Sequence, residues 1–135
     1  MAYLIGIILA LAVGVLATVV GFDRDRAFYP NVMIVIASYY VLFAVSGGAA
    51  DIIAIEAAIM AIFAGLAIAG FKRSLWLVVA ALAAHGLFDW ILAPRIANPG
   101  VPPWWPQFCL GYDVVAAGYL AYRLSHMQAT PRVSK

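Results

Sequence analysis

Four side chains that can do acid–base or metal chemistry lie inside long apolar runs: Glu56, His85, Asp89 and Asp113. His85 and Asp89 are four residues apart, so a helix returns them to one face. Cys109, Tyr112 and Asp113 share a face of the following apolar segment. A carboxylate beside an imidazole fixes its tautomer and orientation, which makes His85 with Asp89 a candidate acid–base pair. Imidazole and carboxylate oxygens also suit zinc, iron or manganese, so His85, Asp89, Asp113 and Glu56 are equally candidate ligands of one divalent metal ion. An H-x-x-x-D spacing arises by chance on any helix. The plain alternative is a structural polar core, with His85 holding Asp89 and tyrosines satisfying the remaining oxygens. Cys109 is most simply a small apolar neighbour, with ligation the alternative because it lies close to the cluster. The sequence has no glycine-rich phosphate loop, no G-x-S-x-G and no H-E-x-x-H.

The elements that must position these groups follow from composition. The 135 residues are 67% hydrophobic and 10% charged, with a mean hydropathy of +1.02. A soluble domain carries about 25% charged residues. Here the charges are too few for a water-facing surface, and hydrocarbon takes that role. Length accommodates one domain, expected as a single integral membrane domain over residues 1–135. One cysteine, Cys109, excludes an intrachain disulfide and a multi-cysteine metal cage. The basic residues form no stripe interleaved with aromatics, so no nucleic-acid partner is expected. No basic region precedes the first apolar run, which argues for a span and not a cleaved signal.

A helix needs about 20 apolar residues to cross the bilayer core. The expected fold is an all-α, polytopic transmembrane bundle of five helices, at approximately 2–21, 31–47, 50–70, 75–94 and 106–124, with a Ser-Gly-Gly turn at 46–48. Five spans place Arg24, Arg26, Lys72, Arg73, Arg123, Arg132 and Lys135 on one side and only Arg95 on the other. The positive-inside bias then predicts a multi-pass protein of the bacterial inner membrane, with its N-terminus extracytoplasmic and its C-terminus cytoplasmic. Trp104 and Trp105 sit at the outer boundary; Phe28, Tyr29 and Trp76 sit near the inner one. Gly6, Ala10 and Gly14 recur every four residues, a face that lets helices approach closely. Asp23 and Asp25 read as interfacial loop residues beside Arg24 and Arg26, Asp51 as a helix-start residue, and His126 as interfacial.

Depth groups the unusual residues. At 1.5 Å rise per residue, Glu56 lies about 9 Å below the outer end of its helix, Asp89 about 7 Å, and Asp113 and Tyr40 about 10 Å, with Tyr39 beside Tyr40. All therefore fall in the outer half of the membrane, on the second to fifth spans. An ionisable group in mid-span costs about 2.5–3.5 kcal/mol on insertion scales. These groups should face one another or a cavity, with Tyr39 or Tyr40 contributing a hydroxyl, and protonation of the carboxyls would relieve much of the cost.

The stretches HGLFDW at 85–90 and NPGVPPWWPQFCLGYD at 98–113 resemble a family of small bacterial integral membrane proteins known only as a domain of unknown function. Its pattern is a histidine and aspartate four apart on one helix, an Asn-Pro-x-Val-Pro loop, and a cysteine and aspartate on the next helix. His85, Asp89, Asn98, Pro99, Cys109 and Asp113 match it. The resemblance covers about a third of the chain and implies that these residues form one site; it implies no activity, substrate or cofactor.

The leading expectation is a pocket in the outer half of the bilayer that binds, and by acid–base or metal-assisted chemistry transforms, a small lipophilic molecule entering from lipid. Its catalytic candidates are His85, Asp89, Asp113 and Glu56; its ligand-binding candidates are Tyr39, Tyr40, Cys109 and Tyr112. Two other classes stand beside it: a proton- or cation-coupled transporter or channel built as a homo-oligomer, and a structural or assembly subunit. A transporter needs a polar route to the inner face, and the inner halves of the first, third and fourth spans are nearly all apolar.

Overall fold

The computed structural model describes residues 1–47 and 50–129. Helix α1 covers Ala2–Val20 and ends on Gly21, whose left-handed φ of 91° lets its N–H close on the Ala17 carbonyl at 2.8 Å. A short 3-10 turn, Phe22–Arg24, leads into α2, Phe28–Gly47. The start of α2 lies three residues before the expected Asn31. Pro30 sits in the first turn, where its missing N–H costs nothing. Helix α3 covers Ala50–Lys72. The Ser-Gly-Gly turn is only partly visible: Ser46 and Gly47 are helical, and Gly48 lies outside the described residues.

The fourth expected span, drawn to Pro94, is two pieces. Helix α4 covers Trp76–Ile91 and a separate turn, α5, covers Ala93–Ile96. Pro94 has no N–H for the Trp90 carbonyl, so it begins a new helix at its first turn and cannot continue the old one. Ala97, at φ 54°, ends α5 in the left-handed region. Helix α6, Trp105–Ala129, starts one residue before expected and runs past Leu124. There is no strand among the described residues.

The fold is thus an all-helical bundle of five long helices. α1, α2 and α3 are each long and apolar enough to cross a membrane, and α4 is apolar but shorter. The surface agrees: Ile8 and Val19 on α1 and Ile62 on α3 are more than 60% exposed. Such large apolar side chains standing out from every side need hydrocarbon around them.

Neighbours run in the order α1, α6, α4, α3, α2. The α1–α6 seam is close because it is built on glycine. A Cβ on Gly6 would collide with the Phe108 carbonyl of α6, and one on Gly111 with the Tyr3 carbonyl of α1. Ala10 and Ala17 complete the buried stripe, the small-residue mode of association in lipid. The centre of the bundle is filled by Met33, Ala67, Val78 and Leu82, all with no exposure.

The charged end is tied together by side chains. Arg123 Nε meets Asp23 Oδ2 at 3.0 Å, and the same oxygen accepts the Thr18 hydroxyl at 2.7 Å. Arg26 donates to the Phe71 carbonyl at 3.0 Å. These contacts bring Arg24, Arg26, Lys72, Arg73 and Arg123 to one end, with Arg95 on α5 at the other. Arg132 and Lys135 lie outside the described residues.

Candidate functional site

Helix α4 carries His85 and Asp89 on the face turned toward α6, and α6 answers with Asp113. His85 Nδ1 stands 2.8 Å from Asp113 Oδ2 and 3.5 Å from Asp89 Oδ2. With a carboxylate accepting, Nδ1 carries the hydrogen. The better contact is therefore between helices, to Asp113, and not to the Asp89 of the expected pair. Gly86 makes this approach possible, since a Cβ there would meet the Asp113 side chain at 3.0 Å. His85, Asp89 and Asp113 are all at or below 2% exposure.

The donor set is only partly used. One nitrogen, one Asp89 oxygen and one Asp113 oxygen lie within 4.8 Å of one another. Both Asp89 oxygens and Asp113 Oδ1 are buried without a hydrogen-bond partner, as is the Tyr40 hydroxyl. Tyr40 and Cys109 both neighbour the Asp89 carboxyl. The expected tyrosine hydroxyl is thus Tyr40, on the buried side of α2, whereas Tyr39 is partly exposed. Phe63 packs edge-on against the imidazole, ring centroids 4.7 Å apart.

Glu56 departs from the expected arrangement. It is buried, and its carboxyl accepts from Asn98 Nδ2 at 3.0 Å instead of joining the three-residue cluster. The same amide donates to the Tyr40 carbonyl at 3.0 Å, and Asn98 Oδ1 accepts the Gly100 N–H at 3.2 Å. The reason is local: the left-handed Ala97 turns the 97–104 connection back over the ends of α2 and α3, within reach of Glu56. Gly100 lies so close to Phe43 that a Cβ would strike its carbonyl oxygen. Glu56 therefore anchors this connection.

The remaining candidates line a cavity. About 390 Å³ of space opens between α2 and α6, with Leu9 of α1 at its edge. From α2 it is walled by Phe28, Val32, Val35 and Tyr39, and from α6 by Trp105, Phe108 and Tyr112. Cys109 and Asp113 belong to the same wall, so the cavity abuts the His85 cluster. It follows α2 over the eleven steps from Phe28 to Tyr39, about 16 Å of helix, and is longer than an outer-half pocket. Tyr39 packs at a tilt against Trp105, centroids 5.2 Å apart, at one end.

Of the eight candidate residues, six group around the cluster and cavity: His85, Asp89, Asp113, Tyr40, Cys109 and Tyr112. Tyr39 joins through the cavity alone, and Glu56 takes a different partner. Sequence reasoning did not find Phe63, although it lies seven residues after Glu56 on the buried face of α3, a spacing that could have revealed it. No described family, curated protein or solved structure matches this chain.

Proposed function

We propose that this integral membrane protein binds a small lipophilic molecule in the α2–α6 cavity and presents the His85–Asp113 pair to it as an acid–base group. One observation carries the reading: an apolar, aromatic-walled space of about 390 Å³ whose wall includes Asp113, hydrogen-bonded to a buried histidine. Volumes of about 300–1,000 Å³, apolar walls and a few placed polar groups are the usual make-up of a small-molecule site. A helical bundle with a purely structural polar core has no need of the space. The resembled family pattern includes His85, Asp89, Cys109 and Asp113 of this site, along with Asn98 and Pro99 of the neighbouring connection.

The charged end is read as cytoplasmic, which puts the N-terminus outside. A periplasm-active reporter fused before Met1 should work and one fused after Lys135 should be silent.

Photo-labelling tests the cavity. The full chain in liposomes is irradiated with a diazirine-bearing long-chain alcohol, and labelled residues are located by mass spectrometry. Labels should concentrate on Tyr39, Phe108 and Tyr112 and be competed by unlabelled alcohol. Uncompeted labelling spread over lipid-facing positions such as Ile8 and Ile62 would remove the reading.

A further inference from the structure

We infer that His85, Asp89 and Asp113 form a binding site for one divalent transition-metal ion of the zinc type. The inference concerns the same wall of the cavity but does not depend on a lipophilic ligand being bound there.

The first support is geometric. Ligands about 2.0–2.2 Å from zinc in a tetrahedral site stand about 3.4 Å from each other. Here His85 Nδ1 is 2.8 Å from Asp113 Oδ2 and 3.5 Å from Asp89 Oδ2, and all three donor atoms fall within 4.8 Å. Small side-chain rotations close such a set around an ion. Asp89 and Asp113 come from separate helices, so no single local motif accounts for the convergence.

The second support is independent of spacing. Asp89 has no exposure, both of its oxygens lack a hydrogen-bond partner, and Oδ2 faces His85 Nδ1 at 3.5 Å. Buried carboxyl oxygens are normally satisfied. The Tyr40 hydroxyl and the Cys109 thiol, a weak donor, both approach the carboxyl, but neither closes a hydrogen bond of good geometry to it.

Charge gives the third. Ionised, the two carboxyls with a neutral imidazole carry −2 in an apolar bundle, a charge that either protons or a divalent cation must offset. A divalent cation with a neutral His85 brings the group to zero, the condition for burying ions in a low-dielectric interior. Three protein ligands leave a further coordination position, as in zinc sites that bind a substrate or water. Cys109 and Asp113 form the cavity wall, so a molecule in the cavity meets the ion from that side.

The test uses the untagged, detergent-solubilised full chain, stripped with chelator and titrated with Zn²⁺ and, separately, Co²⁺. One equivalent should bind, with the His85 hydrogen moved from Nδ1 to Nε2, and more tightly as pH rises because metal and protons compete for the carboxyl oxygens. Visible absorption of the Co²⁺ form should show a low-symmetry site of nitrogen and oxygen donors, without the strong near-ultraviolet band of a thiolate ligand. Asp89→Asn and Asp113→Asn should each weaken binding at least tenfold, whereas Glu56→Gln should leave it within threefold. The wild-type Co²⁺ spectrum reads the site even if the aspartate variants fold poorly. Failure of the wild type to bind one equivalent, or unchanged affinity in a folded Asp89→Asn, would overturn the metal site. Photo-labelling of the cavity would then still stand or fall by itself.

Discussion

Helix α6 faces α1 and α2 in opposite ways. Against α1 it closes to backbone contact, with Gly6 over the Phe108 carbonyl and Gly111 over the Tyr3 carbonyl. Against α2 it stands off, and the gap holds the cavity. The difference lies in the side chains offered. α1 presents Gly6, Ala10, Gly14 and Ala17, whereas α2 presents Phe28, Val32, Val35 and Tyr39 to Trp105, Phe108 and Tyr112. In a membrane, where lipid supplies no apolar push between helices, closeness depends on small residues. Bulky residues on both sides of a seam hold the helices apart and leave a space whose walls are already apolar. The same helix thus supplies a structural seam on one side and a candidate binding seam on the other.

The sharpest way to break this contrast is Gly6→Leu. Its Cβ has no room between the Phe108 carbonyl and Tyr112, both backbone and unable to swing away. Overpacking costs about 1–3 kcal/mol where the core can adjust; here the upper end, about 3 kcal/mol, is expected in reversible unfolding by denaturing detergent. An unchanged midpoint would mean that α1 and α6 are not in backbone contact.

Asn98→Ala is next. It removes the bridge between the Tyr40 carbonyl and the buried Glu56 carboxyl. An orphaned buried group costs about 1–3 kcal/mol, so a loss of about 2 kcal/mol is expected in the same assay. Glu56→Gln, which can still accept from Asn98, should lose less than half of that. Equal losses would mean that the carboxylate charge matters more than the bridge.

Filling the open seam should act on binding more than on stability. Val35→Phe puts added volume into the cavity. It should cut photo-labelling at Tyr112 about tenfold, equivalent to about 1.4 kcal/mol, with little change in unfolding. Labelling that persists would place the probe outside the cavity.

The smallest effect belongs to Gly65, where a Cβ meets nothing within 4 Å. Gly65→Ala should stabilise α3 by up to about 1 kcal/mol through helix propensity alone. A loss instead would reveal a partner packed on that face, such as a second copy of the chain.

How far the sequence discloses these features depends on the range of the interaction. His85 and Asp89 were legible as a pair because the helical turn alone puts them on one face. Asp113 followed because a carboxyl at matching depth has nowhere else to find a partner. The Gly6, Ala10, Gly14 spacing likewise announced a close seam. Glu56 misled because depth says how far down a residue lies but not which neighbour it turns toward. Its partner Asn98 sits on a connection whose path is set by Pro94 and the left-handed Ala97, and both act through tertiary placement. The cavity was illegible for a similar reason: it belongs to a seam between α2 and α6, far apart in sequence, and only their packing order makes them face each other.

The connection over residues 97–104 has one more consequence. Asn98 fastens it to α2 and α3, while Pro99 abuts Gly47 and Gly100 abuts Phe43. Tyr39 and Trp105, one from each cavity wall, pack against each other at a tilt. The connection is thus pinned against α2 and α3 and lines none of the cavity, so on the proposed reading a lipophilic molecule enters by sliding between α2 and α6 from the bilayer. On that reading occupancy would follow the ligand's mole fraction among the lipids and not its concentration in water. Adding inert lipid at a fixed amount of ligand would dilute the ligand and empty the site.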